Sequence, residues 1–571
     1  MGDTAASFSV SDYLVFTASL AISFGIGVYQ WWRSRGRGTD DFLMGGGKMS
    51  PFPVALSLLA GIVSAISILG NSSEMYYYGS QLWMNVFGVM LGATLTALLI
   101  MPIIYPLKLI SIYQILEVRW KSPLLRKLVT VTQVGNIFIF LGIAMYAPSL
   151  AISSITPIPT NVSIIVLAVI CSLYASLGGA KAVVYTDTFQ TFVMFAGVIV
   201  VIIQGCAEVG GGTNSWNIDD QHGRIEFFNM DPSPLERHTF MTTLILGTYF
   251  GLNTYGSSQV QFQRWGSVGT LRESYMVMVA SVVCLVVMWS LINYAGLVVF
   301  SVYADCDPLT AGYIEKPDQI LVYFVVDKLG YLPGVPGLFV AAVYSGVLSS
   351  VSSSLNAIAA MIWTDLLQPT KRFANTSEAK AKNITVAISM VSGIGAMVIG
   401  ILAGSMGGLV QVSYAISGAI AGPIAGLVLT AILCPWVKSL SATLGMLCGL
   451  LFNMWIVVGN FLYAPPPTKL PLSTEGCPDA NFTTTAAEAT TFLPLTTTSV
   501  DPHHDSSDVF PLYLLSYCLF GAIGLLTSLV MSTVFSCFFG FTQLSDVPEK
   551  AVNKTCLRFF HWLKPEKPYL L

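Results

Sequence analysis

Charge is scarce in this chain, and that scarcity excludes most soluble folds. Only 10% of its 571 residues are charged, against roughly 25% in an average soluble domain. It has no basic run and no zinc-type cysteine spacing, so nucleic-acid binding and structural zinc have no support. Its five histidines (His222, His238, His503, His504 and His561) fall in loops or at the edges of hydrophobic runs. No metal-ligating set or nucleophile–base pair accompanies them, which leaves an enzyme reading without catalytic residues or a cofactor. The N-terminus lacks the basic start and small-residue cleavage site of a signal peptide. The first hydrophobic run, 13–31, is long enough to span a bilayer and stay there.

Apolar residues are abundant, at 54% of the chain, and they recur in blocks of the length a bilayer core requires, about 20 residues. The pattern predicts an all-α polytopic protein with thirteen spans, at 12–32, 52–78, 83–107, 130–153, 161–178, 184–207, 239–260, 274–303, 336–364, 384–404, 408–434, 441–463 and 510–538. The transmembrane domain is expected to occupy 1–540 and a cytoplasmic tail 541–571. Of the 27 Lys and Arg, only five (Arg224, Arg237, Lys316, Lys328 and Lys469) fall on one side of this layout. Cytoplasmic loops carry the positive excess, so the N-terminus is expected outside the cell and the C-terminus inside, as an odd span number demands. Residues 464–509 form a Thr- and Pro-rich outer loop with a glycosylation sequon at Asn481, a composition that cannot bury a core. A sequon at Asn161 lies too close to a span, and those at Asn375 and Asn553 fall on the inner side. Most of the ten cysteines sit in apolar stretches as small core residues. Cys306 and Cys477 fall in outer loops, and the sequence leaves open whether they are bridged.

Polar groups inside a bilayer are costly and mark function. The second span, from Ala55 through Gly61 and Ser64 to Gly70 and Glu74, interrupts its apolar pattern with small and hydroxyl residues. One reading is an unwound segment whose free carbonyls ligate Na⁺; the other is a close-packed helix interface. The ninth span holds six serines within 345–354. Gly346, Ser349, Ser350 and Ser353 recur at helical spacing on one face. Those hydroxyls either supply oxygens to a hard alkali cation or bond back to their own helix. Asp187, with Thr186 and Gln190, lies at the inner end of the sixth span as a helix cap or a cation-attracting gate. The seventh span breaks around Gly256 and runs on to Gln263 and Arg264. Paired discontinuous helices five spans apart point to inverted repeats, 52–207 and 239–434, around a central site.

At these residues the sequence resembles the sodium/solute symporter family. The resemblance rests on Leu56–Ala60 with Leu69–Glu74, on Gly178–Gly179 to Gln190, on Tyr255–Gly256 to Arg264, and on Pro333–Phe339 running into Ser345–Ser350. Asp305–Pro308 and Pro317–Gln319 look like the branch of monocarboxylate, multivitamin and iodide cotransporters. The resemblance implies a leucine-transporter-type fold of two inverted five-helix repeats plus extra helices. It implies a sodium site at Ala60, Val63, Gly346, Ser349 and Ser350 with Asp187 beside it, and a substrate site at Ser67 and Tyr255. Ser67 departs from the Gln or His of the iodide and sugar carriers. The expected function is therefore symport of Na⁺ with a small organic anion, such as a monocarboxylate, across the plasma membrane. A multivitamin or inorganic-anion carrier is the alternative, and a channel or non-transporting nutrient receptor is the reading from another class.

Overall fold

The structure is a computed structural model that describes residues 8–33, 38–153, 158–402, 409–478 and 509–563. The described residues contain helices and no strand. Asn481 lies outside them.

The helices that build the molecule are α1 (Val10–Arg33), α2 (Pro51–Ala60), α3 (Asn71–Tyr78), α4 (Asn85–Leu99), α5 (Pro123–Ser153), α6 (Thr160–Glu208), α7 (Gly212–Gln221), α8 (Phe240–Gly256), α9 (Gln259–Trp265), α10 (Leu271–Val302), α11 (Val335–Met361), α12 (Glu378–Leu402), α13 (Leu409–Leu433), α14 (Ser439–Tyr463), α15 (Tyr517–Phe539) and α16 (Lys554–Leu563). Among the described residues, ten helical stretches are long and apolar enough to cross a membrane. The other three expected spans take different forms. Residues 52–78 are α2 and α3 joined through a break. Residues 161–178 are the first part of α6, continuous with the next span except at Gly179, whose φ of 57° kinks the helix. Residues 239–260 are α8, which stops at Gly256, and the start of α9.

Two pairings organise the bundle. The first broken unit, α2–α3, packs on α10, while the second, α8–α9, packs through α8 on α4. Each broken helix thus rests on the helix that follows the other, as two interlocked repeats require. Small residues permit the approach: a Cβ on Gly247 would lie 2.0 Å from the Asn85 carbonyl oxygen, and one on Gly296 2.3 Å from that of Ser72. Outside this core, α13, α14 and α15 pack together, and α1 lies against α6 and α11.

The serine-bearing α11 is held at both ends through carboxylates, one from α1 and one carried by its own last turn. At its start, where no side chain of its own caps it, Asp12 of α1 accepts the Gly334 and Gly337 N–H groups at 3.0 and 3.1 Å. That places an anion at the positive end of the helix dipole. At its far end, in the turn Ile362–Leu367, Asp365 accepts from Ser111 Oγ at 2.6 Å, Thr130 Oγ at 2.8 Å and Arg126 Nε at 2.9 Å. α11 is therefore fixed along its axis before any ion arrives.

Candidate functional site

The centre of the molecule is the break between α2 and α3. The helical ladder of α2 runs out when Gly61 N–H bonds the Ser57 carbonyl and the Ile62 and Val63 N–H groups both bond that of Leu59. Helical winding resumes as a wide five-residue turn, Ile66–Gly70. In the stretch between, Ala60, Val63 and Ser64 are buried, and Gly61 and Ile62 are partly so. Backbone carbonyls in such a stretch need partners other than the helix itself.

α11 supplies the facing wall. A Cβ on Gly346 would sit 3.1 Å from both Ala65 N and the Ser64 carbonyl carbon, so this glycine brings the helix backbone directly against the break. One turn further along, Ser349 and Ser350 are buried, and neither Oγ has a hydrogen-bond partner. Serine in a helix ordinarily bonds back to its own carbonyls, as Ser352 does to Ser349 at 3.2 Å. The two unpartnered hydroxyls favour the cation-ligand reading, because an unsatisfied buried polar atom is expensive.

Asp187 of α6 completes the inner side. Its Oδ2 accepts from Ser57 Oγ of α2 at 2.6 Å and from Arg264 Nη2 of α9 at 2.8 Å. Its Oδ1 is buried without a partner, and the Ser349 hydroxyl is its neighbour. One turn on, the Gln190 amide is buried with both polar atoms unpartnered. Arg264 also donates to Ser57 Oγ at 2.7 Å and to Ser353 Oγ. A single guanidinium thus ties α2, α6, α9 and α11 together. Gly61 gives it room, since a Cβ there would meet the Arg264 guanidinium carbon at 3.1 Å. A small cavity lined by Met49, Ala180, Val184, Gln263, Arg264 and Asn356 lies against this junction.

The structure therefore gathers Gly346 and the break that carries Ala60 and Val63, and it sets the Ser349 hydroxyl beside Asp187. It treats the two substrate-site residues differently. Ser67 retains partial exposure within a run, 63–70, that is otherwise buried, and its hydroxyl accepts from the Ser64 N–H at 3.4 Å. Tyr255 is fully buried, with its hydroxyl 3.2 Å from Ser281 Oγ of α10.

Sequence reasoning missed Arg264 as the partner of Asp187, although a buried carboxylate in a span calls for a cation and Arg264 is the charge carried by the second broken helix. It also missed a second lock. Glu74 of α3 pairs with Arg237, which precedes α8, at 2.7 Å. Arg237 reaches Gln411 of α13 at 2.9 Å and stacks over Tyr78 and Tyr517. Cys306 and Cys477, which the sequence left open, form a disulfide with Cα atoms 5.0 Å apart.

This arrangement of two broken helices, a serine wall and a buried carboxylate has known counterparts. The model of the sodium:solute symporter family matches residues 42–449. This chain belongs to the sodium:solute symporter family. Among its relatives, sodium-coupled monocarboxylate transporter 1 of Xenopus laevis is 38% identical, over 94% of this chain and 86% of that protein. Sodium-coupled monocarboxylate transporter 2 of Mus musculus is 34% identical, over 98% and 89%. The human sodium/iodide cotransporter is 35% identical, over 95% and 85%. A solved sodium-coupled sialic acid symporter superposes with a TM-score of 0.75 at 20% identity, covering 94% of this chain and all of that one. The fold is the leucine-transporter type. As a family member the chain is a multi-pass membrane protein that couples solute movement to Na⁺, and no other cofactor is indicated.

Proposed function

We propose that this symporter imports a small monocarboxylate into the cell across the plasma membrane, drawing on Na⁺ held at the break between α2 and α3. One observation carries the ion site. Two buried serine hydroxyls and one carboxylate oxygen lie unpartnered where α11 abuts an unwound segment. Na⁺ is a hard cation, and its ligands here are the Ala60 and Val63 carbonyls, the Gly346 carbonyl, and the Ser349 and Ser350 hydroxyls. Asp187 lowers the cost of the ion's charge. Mostly neutral oxygens hold the ion loosely enough to release it.

The monocarboxylate relatives, aligned over nearly the whole chain, support the solute class. Ser67 at the open edge of the break supports a small, polar substrate. Tyr255 acts behind the site, by holding α8 to α10 through Ser281. The positive-inside bias and the disulfide between two outer loops support an outside N-terminus and an inside C-terminus. Asn481 is the glycosylation site of the outer loop.

The energetics set the stoichiometry. Each Na⁺ crossing 100 mV yields about 2.3 kcal/mol, and a tenfold gradient yields about 1.4 kcal/mol. One Na⁺ moving with one anion is electrically silent and can concentrate the anion only as far as the Na⁺ gradient itself, so strong accumulation of a carboxylate calls for two or more Na⁺ per cycle. A ligand shifts a conformer only by its differential affinity. Na⁺ bound at the unwound segment favours the state open to the outside, and the anion then binds beside Ser67 and permits closure. The human iodide relative keeps an inorganic anion as a second reading. Labelled uptake in expressing cells separates them, using lactate, biotin, pantothenate and iodide with simultaneous current recording. Saturable, sodium-dependent lactate flux carrying net positive charge is expected. Uptake of iodide alone would transfer the proposal to inorganic anions. Binding without any flux would make the protein a receptor.

A further inference from the structure

One face of α10 carries two buried polar groups that the ion site does not use. Trp289 and Asn293 stand one turn apart, and both are more than nine-tenths buried. Neither Trp289 Nε1 nor Asn293 Oδ1 has a hydrogen-bond partner. Buried polar atoms ordinarily find one. The next residue along shows the usual case, where Ser290 Oγ accepts from Trp83 Nε1 at 3.0 Å. Burying an unpaired indole N–H for packing alone is costly when an apolar ring would fill the same space.

The register of α10 against α3 places these groups beside the break. Ser72 Oγ donates to the Ile292 carbonyl at 3.0 Å, Gly296 abuts the Ser72 carbonyl, and the Tyr76 and Phe300 rings meet at 5.3 Å between centroids. The two helices therefore run side by side in the same direction, with residue 72 against 292–296 and residue 76 against 300. One turn further in, Trp289 comes level with the wide turn Ile66–Gly70, which carries Ser67 and touches both α10 and α13. Phe250 of α8 closes the wall, with its ring 5.4 Å from that of Trp289 and 6.0 Å from that of Tyr414 on α13. Ser67, Phe250 and Tyr414 all keep partial exposure, so the space between this aromatic wall and the break is open to a small solute.

The two orphaned groups are one donor and one acceptor. Side chains one turn apart on a helix are separated by about 6 Å at Cβ, within reach of a single three-carbon acid. We propose that Trp289 and Asn293 read the solute: the indole N–H donates to a carboxylate oxygen, and Asn293 Oδ1 accepts from a hydroxyl on the neighbouring carbon. The preferred substrate is then a small 2-hydroxy acid, favoured over a plain acid of the same length. This inference rests on the monocarboxylate reading and specifies the group beside the carboxylate.

The test is the sodium-dependent uptake of labelled lactate and of propionate, which lacks the hydroxyl, by purified protein in liposomes. KM is compared because it does not depend on how much protein is folded. A site built around a substrate hydroxyl discriminates against the analogue without it, so the wild type is expected to show a KM at least about fivefold lower for lactate. Asn293→Leu should raise the lactate KM to that of propionate and leave the propionate KM within about twofold. Trp289→Phe keeps an aromatic ring but loses a donor to a charged group, and should raise both KM values about tenfold. Equal KM values for the two acids in the wild type would overturn the inference while leaving the monocarboxylate reading in place. So would an Asn293→Leu variant that keeps the preference for lactate, or a Trp289→Phe variant with both KM values unchanged. Absence of sodium-dependent uptake of either acid by the wild type would overturn the inference together with the reading beneath it.

Discussion

Asp187 and Arg264 form a buried ion pair in the middle of the fold, with Asp187 fully buried and Arg264 nearly so. Removing one member strands the other charge, at a cost of about 3–5 kcal/mol, whereas removing both is far milder. Asp187→Asn and Arg264→Gln are each expected to lower the apparent melting temperature of the purified protein more than the double variant does. Additive losses would show that the two do not act as a pair. A different carboxylate offers a pH test. Asp219 in α7 is buried with both oxygens unpartnered. Burial pushes its pKa up to about 8, against the opposing pull of Arg224. An acid whose folded pKa exceeds its unfolded one binds more protons when folded, so stability falls as pH rises from about 4 to about 8. Asp219→Asn mimics the protonated form. Its melting temperature should exceed that of the wild type by more near pH 8.5 than near pH 5, and a constant difference across that range would contradict the assignment. Residues of this kind were partly legible. The serines of α11 and Asp187 stand out because hydroxyls and charge are rare in apolar runs. Arg264, Arg237 and Asp365 did not, because their partners lie on helices distant in sequence and only packing joins them.

At the scale of elements, the contact of α11 with the break rests on one missing side chain. A methyl at Gly346 would press on the Ala65 N and the Ser64 carbonyl carbon at 3.1 Å, and backbone does not give way as a flexible side chain does. Gly346→Ala is expected to reach the membrane but to need several-fold more Na⁺ for half-maximal uptake. Normal sodium dependence in that variant would place the ion elsewhere. The second lock makes a separate prediction. Gln411→Ala frees α13 from Arg237 while leaving the Glu74–Arg237 pair intact. It should make a cysteine placed near Ser67 react faster with thiol reagents, whereas an unchanged rate would show that α13 does not gate access. The broken helices themselves were foreseeable from glycine and serine in otherwise apolar runs. The single kinked α6 was not, since Gly179 reads equally well as a loop residue.

For the whole molecule, the layout of apolar blocks sufficed to place the chain among multi-pass membrane proteins, because bilayer thickness fixes the length of each block. The reciprocal packing of α2–α3 on α10 and α8 on α4 was visible only as a spacing of five spans. The Cys306–Cys477 bridge required the fold, which brings together residues 171 positions apart. The central claim is that neutral oxygens from an unwound helix and a serine wall hold the coupling Na⁺. Its most direct test is the sodium dependence of solute uptake by purified protein in liposomes, wild type against the Ser349→Ala, Ser350→Ala double variant. Loss of two ligands to a charged group, each contributing about 1.5–3 kcal/mol, predicts that half-maximal uptake moves to at least about tenfold higher Na⁺ with the fold retained. An unaltered sodium requirement in a well-folded double variant would contradict the account.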